Sequence, residues 1–118
     1  MRYFTLKEFD SPDMPGSGEL MNAQFIQLLD KARNRAKTPF VISSGYRTRE
    51  HNKKVGGVSN SSHTKGLAVD IKCVNSSERF SIINALLNIG FHRIGVNKTF
   101  IHVDNDTNKN AFVLWMYK

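Results

Sequence analysis

Apolar residues recur at three- and four-residue steps in two stretches of the chain, which predicts two amphipathic helices. The first covers residues 20–36 and the second residues 76–89. Asn75 and Glu78 form a variant of the capping box at the start of the second helix, and Gly90 is placed to end it. The core face predicted for this helix consists of Phe80, Ile83, Leu86 and Leu87.

Short apolar runs between polar, turn-forming residues predict five β-strands. They lie at residues 40–44, 67–73, 93–96, 100–103 and 112–117. Residues 45–68 are polar and irregular, with one short helix expected around residues 49–55, and such a stretch inside a small domain is typically functional. The element order favours an α+β fold with an antiparallel sheet, and we expect Phe112 and Trp115 in its core.

Length and composition are those of one globular domain spanning residues 1–118, which we expect to be a monomer. No apolar run approaches the ~20 residues that a membrane span needs, so we expect no membrane insertion. The first residues lack the apolar stretch of a secretory signal, so we expect a protein made in the cytoplasm. Cys73 is the single cysteine, and we expect it to be buried at the end of a strand.

The chain has 17 Lys plus Arg against 10 Asp plus Glu, a formal net charge of +7. Residues 39–72 hold six basic and two acidic side chains, so +4 of the excess lies in the middle of the chain. Nucleic acid, a membrane surface or an anionic polymer could each attract such a surface. The basic residues form no run and no stripe interleaved with aromatic residues, so a nucleic-acid-binding domain is the weaker alternative.

The segments that contain His63, Asp70 and His102 hold residues that are costly to explain as scaffold alone. Asp70 lies within an apolar strand, seven positions after His63, and a buried carboxylate needs a partner. Period-2 alternation places His102 and Asp104 on one face of a later strand. Two imidazoles and one carboxylate suit a zinc ion that keeps a fourth position open for water. On spacing alone, a hydrogen-bonded histidine and a salt-bridged aspartate explain the same residues.

Three motifs in order make the metal interpretation more specific. They are SGYR at residues 44–47, SxHxxGxAxD at residues 61–70 and HxD at residues 102–104. With these motifs the chain resembles the zinc D-Ala-D-Ala peptidase family, and within it the short single-domain peptidases of bacteria and phages. The resemblance implies a fold shared with the hedgehog signalling domain. It also implies that the substrate is a peptide of bacterial peptidoglycan, cut by a lytic enzyme acting on the cell wall.

Site roles follow from the same resemblance, position by position. It makes His63, Asp70 and His102 the zinc ligands. Arg47 matches the arginine that holds a substrate carboxylate, a role suited to the planar fork of a guanidinium group. Ser61 matches the serine that helps to orient the peptide.

The sequence departs from the family pattern at the general base. Many relatives carry an acidic residue three positions before the last histidine ligand, where this chain has Thr99. Asp104 is the first candidate to replace it and His92 the second, although Asp104 could equally orient a ligand. Because the acid is missing, a hedgehog-like zinc-containing module that binds without cleaving is the alternative to a peptidase.

Overall fold

The computed structural model describes residues 2–117, with three α-helices and five β-strands. The helices are α1 (Ala23–Ala36), α2 (Arg49–Lys54) and α3 (Ser76–Ile89). The strands are β1 (Ile42–Ser44), β2 (Ala68–Lys72), β3 (Arg93–Val96), β4 (Phe100–Asp104) and β5 (Val113–Met116). Three short 3-10 helices lie at Leu6–Phe9, Ser17–Leu20 and Ser62–Lys65.

Local capping signals explain where the two long helices begin and end. The Asn75 side chain accepts a hydrogen bond of 2.8 Å from the backbone N–H of Glu78, and Gly90 ends α3 with a φ of 112°. Both bounds of α3 are therefore confirmed. In α1, the Asn22 side chain accepts from Phe25, so the helix begins at Ala23 and not at residue 20.

The sheet has the strand order β1-β2-β4-β3-β5, and every neighbouring pair is antiparallel except β3 and β5. The α+β fold is confirmed. The expectation of a wholly antiparallel sheet is wrong at one edge, where β5 pairs with β3. Strands β4 and β5 follow one another in the chain and run in opposite directions, but they do not pair, because β3 lies between them. Strand β5 therefore pairs with β3 in parallel.

The core lies between the two long helices and one face of the sheet. It includes Phe25 and Leu29 of α1, Leu86 of α3, and Ile71 and Ile101 of the central strands. Cys73 is buried in the same cluster, as predicted. No helix among residues 2–117 is long and apolar enough to cross a membrane.

The predicted core face of α3 is wrong in part. Phe80 is 72% exposed and Leu87 is 53% exposed, whereas Ile82 and Ala85 are buried beside Leu86. Two apolar stripes on this helix have the same helical spacing, so periodicity alone does not select between them.

Both aromatic residues expected in the core near the C-terminus lie elsewhere. Phe112 is 85% exposed, with a φ of 58°, because it sits in the turn that leads into β5. Trp115 is half-buried on the face of the sheet opposite to the core, where its ring lies over Gly95.

Strand alternation separates the core from this second, open face of the sheet. Val69, Ile71, Ile101 and Val103 point into the core, and the residues between them point the other way. In the antiparallel pairs, Asp70 lies opposite His102, and His102 lies opposite Gly95. In the parallel pair, Gly95 lies opposite Trp115. One row of side chains across the open face therefore contains two of the predicted zinc ligands.

Candidate metal centre and substrate cleft

His63, Asp70 and His102 converge at the open face of the sheet. Each offers one ligand atom, and these atoms all lie within 4.8 Å of one another. Asp70 Oδ1 lies 2.9 Å from His102 Nδ1 and 3.3 Å from His63 Nε2. Asp70 and His102 are neighbours in register on β2 and β4, and the 3-10 helix Ser62–Lys65 brings His63 above them.

The surroundings of His63 determine which ring nitrogen faces the centre. His63 Nδ1 lies 2.8 Å from the carbonyl oxygen of Gly45, which can only accept, so Nδ1 carries the proton of the neutral ring. His63 Nε2 is buried and makes no hydrogen bond within residues 2–117. Its lone pair faces the Asp70 carboxylate across 3.3 Å, an arrangement that a cation between the two atoms would stabilise. The donor set and its orientation therefore fit zinc.

His102 is oriented from the opposite side by a carboxylate. Its Nε2 lies 2.8 Å from Asp104 Oδ2 and its Nδ1 lies 2.9 Å from Asp70 Oδ1. In the neutral ring that would bind a metal ion, Nε2 donates to Asp104 and the lone pair of Nδ1 faces the centre. Asp104 Oδ1 accepts from Arg93 Nε at 2.7 Å and from the backbone N–H of Asp106 at 3.1 Å. Both carboxylate oxygens of Asp104 are thus occupied, as in a residue that positions a metal-binding histidine.

The two carboxylates of the site are held in their ionised form. Burial would raise the pKa of Asp70, but His102 and His63 beside it lower that pKa well below its usual range. Burial would lower the pKa of His102, yet Asp104 and Asp70 raise it. For Asp104, burial is likewise outweighed by His102 and Arg93, and its pKa is lowered. The site therefore favours bound positive charge.

Arg47 lies beside these donors and is held on all sides. Its guanidinium donates a hydrogen bond of 3.0 Å to Ser44 Oγ and one of 3.2 Å to Asn52 Oδ1. Its Nη2 lies 3.5 Å from Asp70 Oδ2. The side chain is 16% exposed. Arg47 is thus preorganised beside the three donors, and it lines the same cleft.

Ser61 has a local role in the structure. It is buried and precedes the 3-10 helix that carries His63, and its hydroxyl accepts a hydrogen bond of 3.2 Å from the backbone N–H of His63. Ser61 also lines the cleft, so its surface is in reach of a ligand there.

A cleft of about 450 Å³ contains all three donors together with Arg47 and Ser61. Its far wall is formed by residues that the sequence did not single out for the site. They are Arg93, Phe100, Lys109, Trp115 and Tyr117. The Arg93 guanidinium lies over the Trp115 ring at 5.2 Å, and that ring lies 5.4 Å from the His102 ring. Period-2 alternation in β3 could have placed Arg93 on this face, but the contribution of β5 depends on pairing that no local pattern reveals.

The structure does not bring His92 into the cleft. It precedes β3 and stacks on exposed Phe112 at 4.8 Å, and it is absent from the residues that line the cleft. Thr99 lies in the turn between β3 and β4 and hydrogen-bonds to Asn97. Of the two candidates for the general base, only Asp104 reaches the cleft.

Fold and site together define a small α+β domain with a His–Asp–His group that could hold a metal ion in an open cleft. A family model described as Peptidase M15 matches residues 2–104, which is most of the chain. The chain belongs to this family of zinc-dependent peptidases, and the predicted resemblance is confirmed. None of the curated proteins compared with the chain matches it.

Proposed function

We propose that this zinc metallopeptidase hydrolyses peptide bonds in the stem or cross-link peptides of bacterial peptidoglycan. The observation that carries the proposal is the meeting of three buried donor atoms, all within 4.8 Å, with Arg47 in one cleft. A metal-binding group beside a fixed guanidinium suits a peptide that carries a carboxylate near the cleaved bond.

His63, Asp70 and His102 would hold the zinc ion through Nε2, Oδ1 and Nδ1. The chemistry that bound zinc supplies is polarisation of a peptide carbonyl and activation of water for attack. Asp104 would accept a hydrogen bond from His102 Nε2–H and so keep the opposite nitrogen directed at the centre. In this role Asp104 acts through His102.

Arg47 would bind the substrate carboxylate. Its hydrogen bonds to Ser44 and Asn52 fix the guanidinium before the substrate arrives, which lowers the entropic cost of binding. A carboxylate at the end of the substrate would make the enzyme a carboxypeptidase, and one within a branched peptide would make it an endopeptidase. Trp115 and Tyr117 would exclude water on the other side of the cleft.

A second candidate is a zinc-containing binding module of the hedgehog kind. The observation that favours it is the state of Asp104, whose oxygens are both engaged, together with Thr99 outside the cleft. In that case the site would bind a peptide and leave it intact.

We further infer that the protein is a monomeric lytic enzyme of the kind that phages use, and that it acts on the bacterial cell wall. The net charge of +7 would attract it to an anionic wall.

The test is digestion of isolated peptidoglycan by the zinc-loaded protein, with new termini identified by mass spectrometry. The peptidase predicts new amino and carboxyl termini at one type of peptide bond. His63→Ala serves as the control that removes one ligand. Zinc binding without new termini would instead support the binding module.

A further inference from the structure

A second cavity adjoins the cleft at Gly57 and is lined in part by basic side chains. It has a volume of about 670 Å³, and we call it the basic cavity. Arg49 and Lys53 of α2 and Lys65 of the 3-10 helix line it, together with polar residues at 52, 59, 60 and 64. No acidic residue lines this cavity within residues 2–117.

Two of the three cations are available to a ligand. Lys65 Nζ is already 2.8 Å from the buried carboxylate of Asp106. Arg49 and Lys53 are exposed, and neither makes an ion pair within the described part of the chain. Two uncompensated cations that share a concave wall attract an anion more strongly than the same charges spread over a convex surface.

The basic cavity and the cleft meet at Gly57, which lines both. A Cβ atom at Gly57 would lie 2.0 Å from Asn52 Oδ1, so the backbone at this position packs directly on Asn52. The Asn52 side chain in turn donates a hydrogen bond of 2.8 Å to the carbonyl oxygen of Val58 and accepts one from Arg47. This packing fixes the backbone of the loop that separates the two cavities.

We propose that the basic cavity binds an oxyanion, a carboxylate or a phosphate, on the same polymer whose peptide occupies the cleft. The polymer part of this inference rests on the proposed function, whereas oxyanion binding does not. Arg49 supplies a fork for two oxygens, and Lys53 supplies a point charge. The ligand crosses between the cavities at Gly57.

Neighbouring lysines of α2 provide a matched control. Lys53 lines the basic cavity, whereas Lys54 lines a separate depression beside Pro12 and His51. Both are exposed, and Lys53→Gln and Lys54→Gln change the net charge equally. Any difference between them therefore reports the cavity and not the overall field of the protein.

The binding test is an NMR titration of the zinc-loaded protein with inorganic phosphate and with acetate, at constant ionic strength. We expect shifts at the amides of residues 59–65 and a phosphate Kd weakened about two- to five-fold by Lys53→Gln, as for one partly solvated ion pair. Lys54→Gln should leave the Kd unchanged. Equal weakening by both variants, or shifts spread over all basic residues, would overturn the proposal.

The source of the oxyanion is then tested by peptidoglycan digestion, with and without its phosphate-bearing polymers. If Lys53→Gln raises KM only while those polymers are present, the ligand is a phosphate. If KM rises on both substrates, the ligand is a carboxylate of the peptide. Equal KM values for Lys53→Gln and Lys54→Gln on both substrates would refute the link to the polymer. A wild-type protein that cleaves nothing would refute the proposed function and leave the phosphate titration as a separate result.

Discussion

Asp106 is predicted to stabilise the segment that carries His63, and the substitution Asp106→Asn tests this. Its buried carboxylate accepts from Ser62 Oγ at 2.7 Å and from Lys65 Nζ at 2.8 Å, and both donors flank His63 in one 3-10 helix. The backbone N–H of Asn108 also donates to it, at 3.1 Å. Asp106 lies outside the residues that the family model matches.

The pKa of Asp106 indicates the size of the effect. Burial would raise this pKa, but Lys65, Ser62 and the backbone N–H of Asn108 lower it from 3.8 to about 2. That difference corresponds to roughly 2 kcal/mol of folding free energy at neutral pH. Because the folded pKa is the lower one, this stabilisation is present above pH ~4 and is lost as the pH falls towards ~2. Asp106→Asn should therefore be destabilised by roughly 2 kcal/mol at pH 7.

Urea unfolding at several pH values measures the free energy of unfolding directly. We expect the difference between wild type and Asp106→Asn to be largest at pH 7 and to shrink below pH ~4. Glu19→Gln is the control, since Glu19 is exposed and makes no side-chain hydrogen bond within residues 2–117. Asp106→Asn should also bind zinc more weakly, because Ser62 adjoins His63. Wild-type stability of Asp106→Asn at pH 7, or a loss independent of pH, would refute the reasoning.

Three further predictions concern the cleft, and a fourth concerns the net charge. Asp104→Asn should weaken zinc binding about 10- to 100-fold in competition with a chelator; unchanged affinity would show that Asp104 does not position a ligand. Gly95→Ala places a Cβ 2.6 Å from the Trp115 ring and should cost about 1–3 kcal/mol in thermal unfolding, with partial recovery when Trp115→Ala is added. No loss in the single variant would contradict the packing. Arg47→Lys should raise KM more than it lowers kcat, because lysine lacks the fork; unchanged KM would remove Arg47 from substrate binding. Hydrolysis of peptidoglycan should fall as salt rises, and activity constant from low to high salt would leave the net charge without a role.

Local signals made much of the fold predictable. The bounds of α3 follow from an asparagine cap and a glycine stop, and β3 lies where the sequence predicts a short strand between turns. These features depend on neighbours in the sequence, so no knowledge of tertiary contacts is needed. The ordered motifs likewise identified the three donors that the fold brings together.

Pairing between distant segments accounts for what the sequence did not reveal. The parallel pairing of β5 with β3 joins residues 20 positions apart, and only this pairing brings Trp115 over Gly95 into the cleft. The buried face of α3 depends on how the helix rotates against the sheet. The loop that separates the basic cavity from the cleft is likewise fixed by side-chain packing on Asn52.

Zinc-dependent cleavage is the most direct measure of the proposed activity. Metal-free protein is titrated with zinc while new peptide termini in peptidoglycan are counted by mass spectrometry. We predict that cleavage rises with zinc and saturates at one ion per chain, and that Asp70→Asn, which keeps the shape of the side chain, neither retains the ion nor cleaves. Cleavage that persists in the presence of a strong chelator, or a fully zinc-loaded wild type that produces no new termini, would contradict a zinc peptidase of the cell wall.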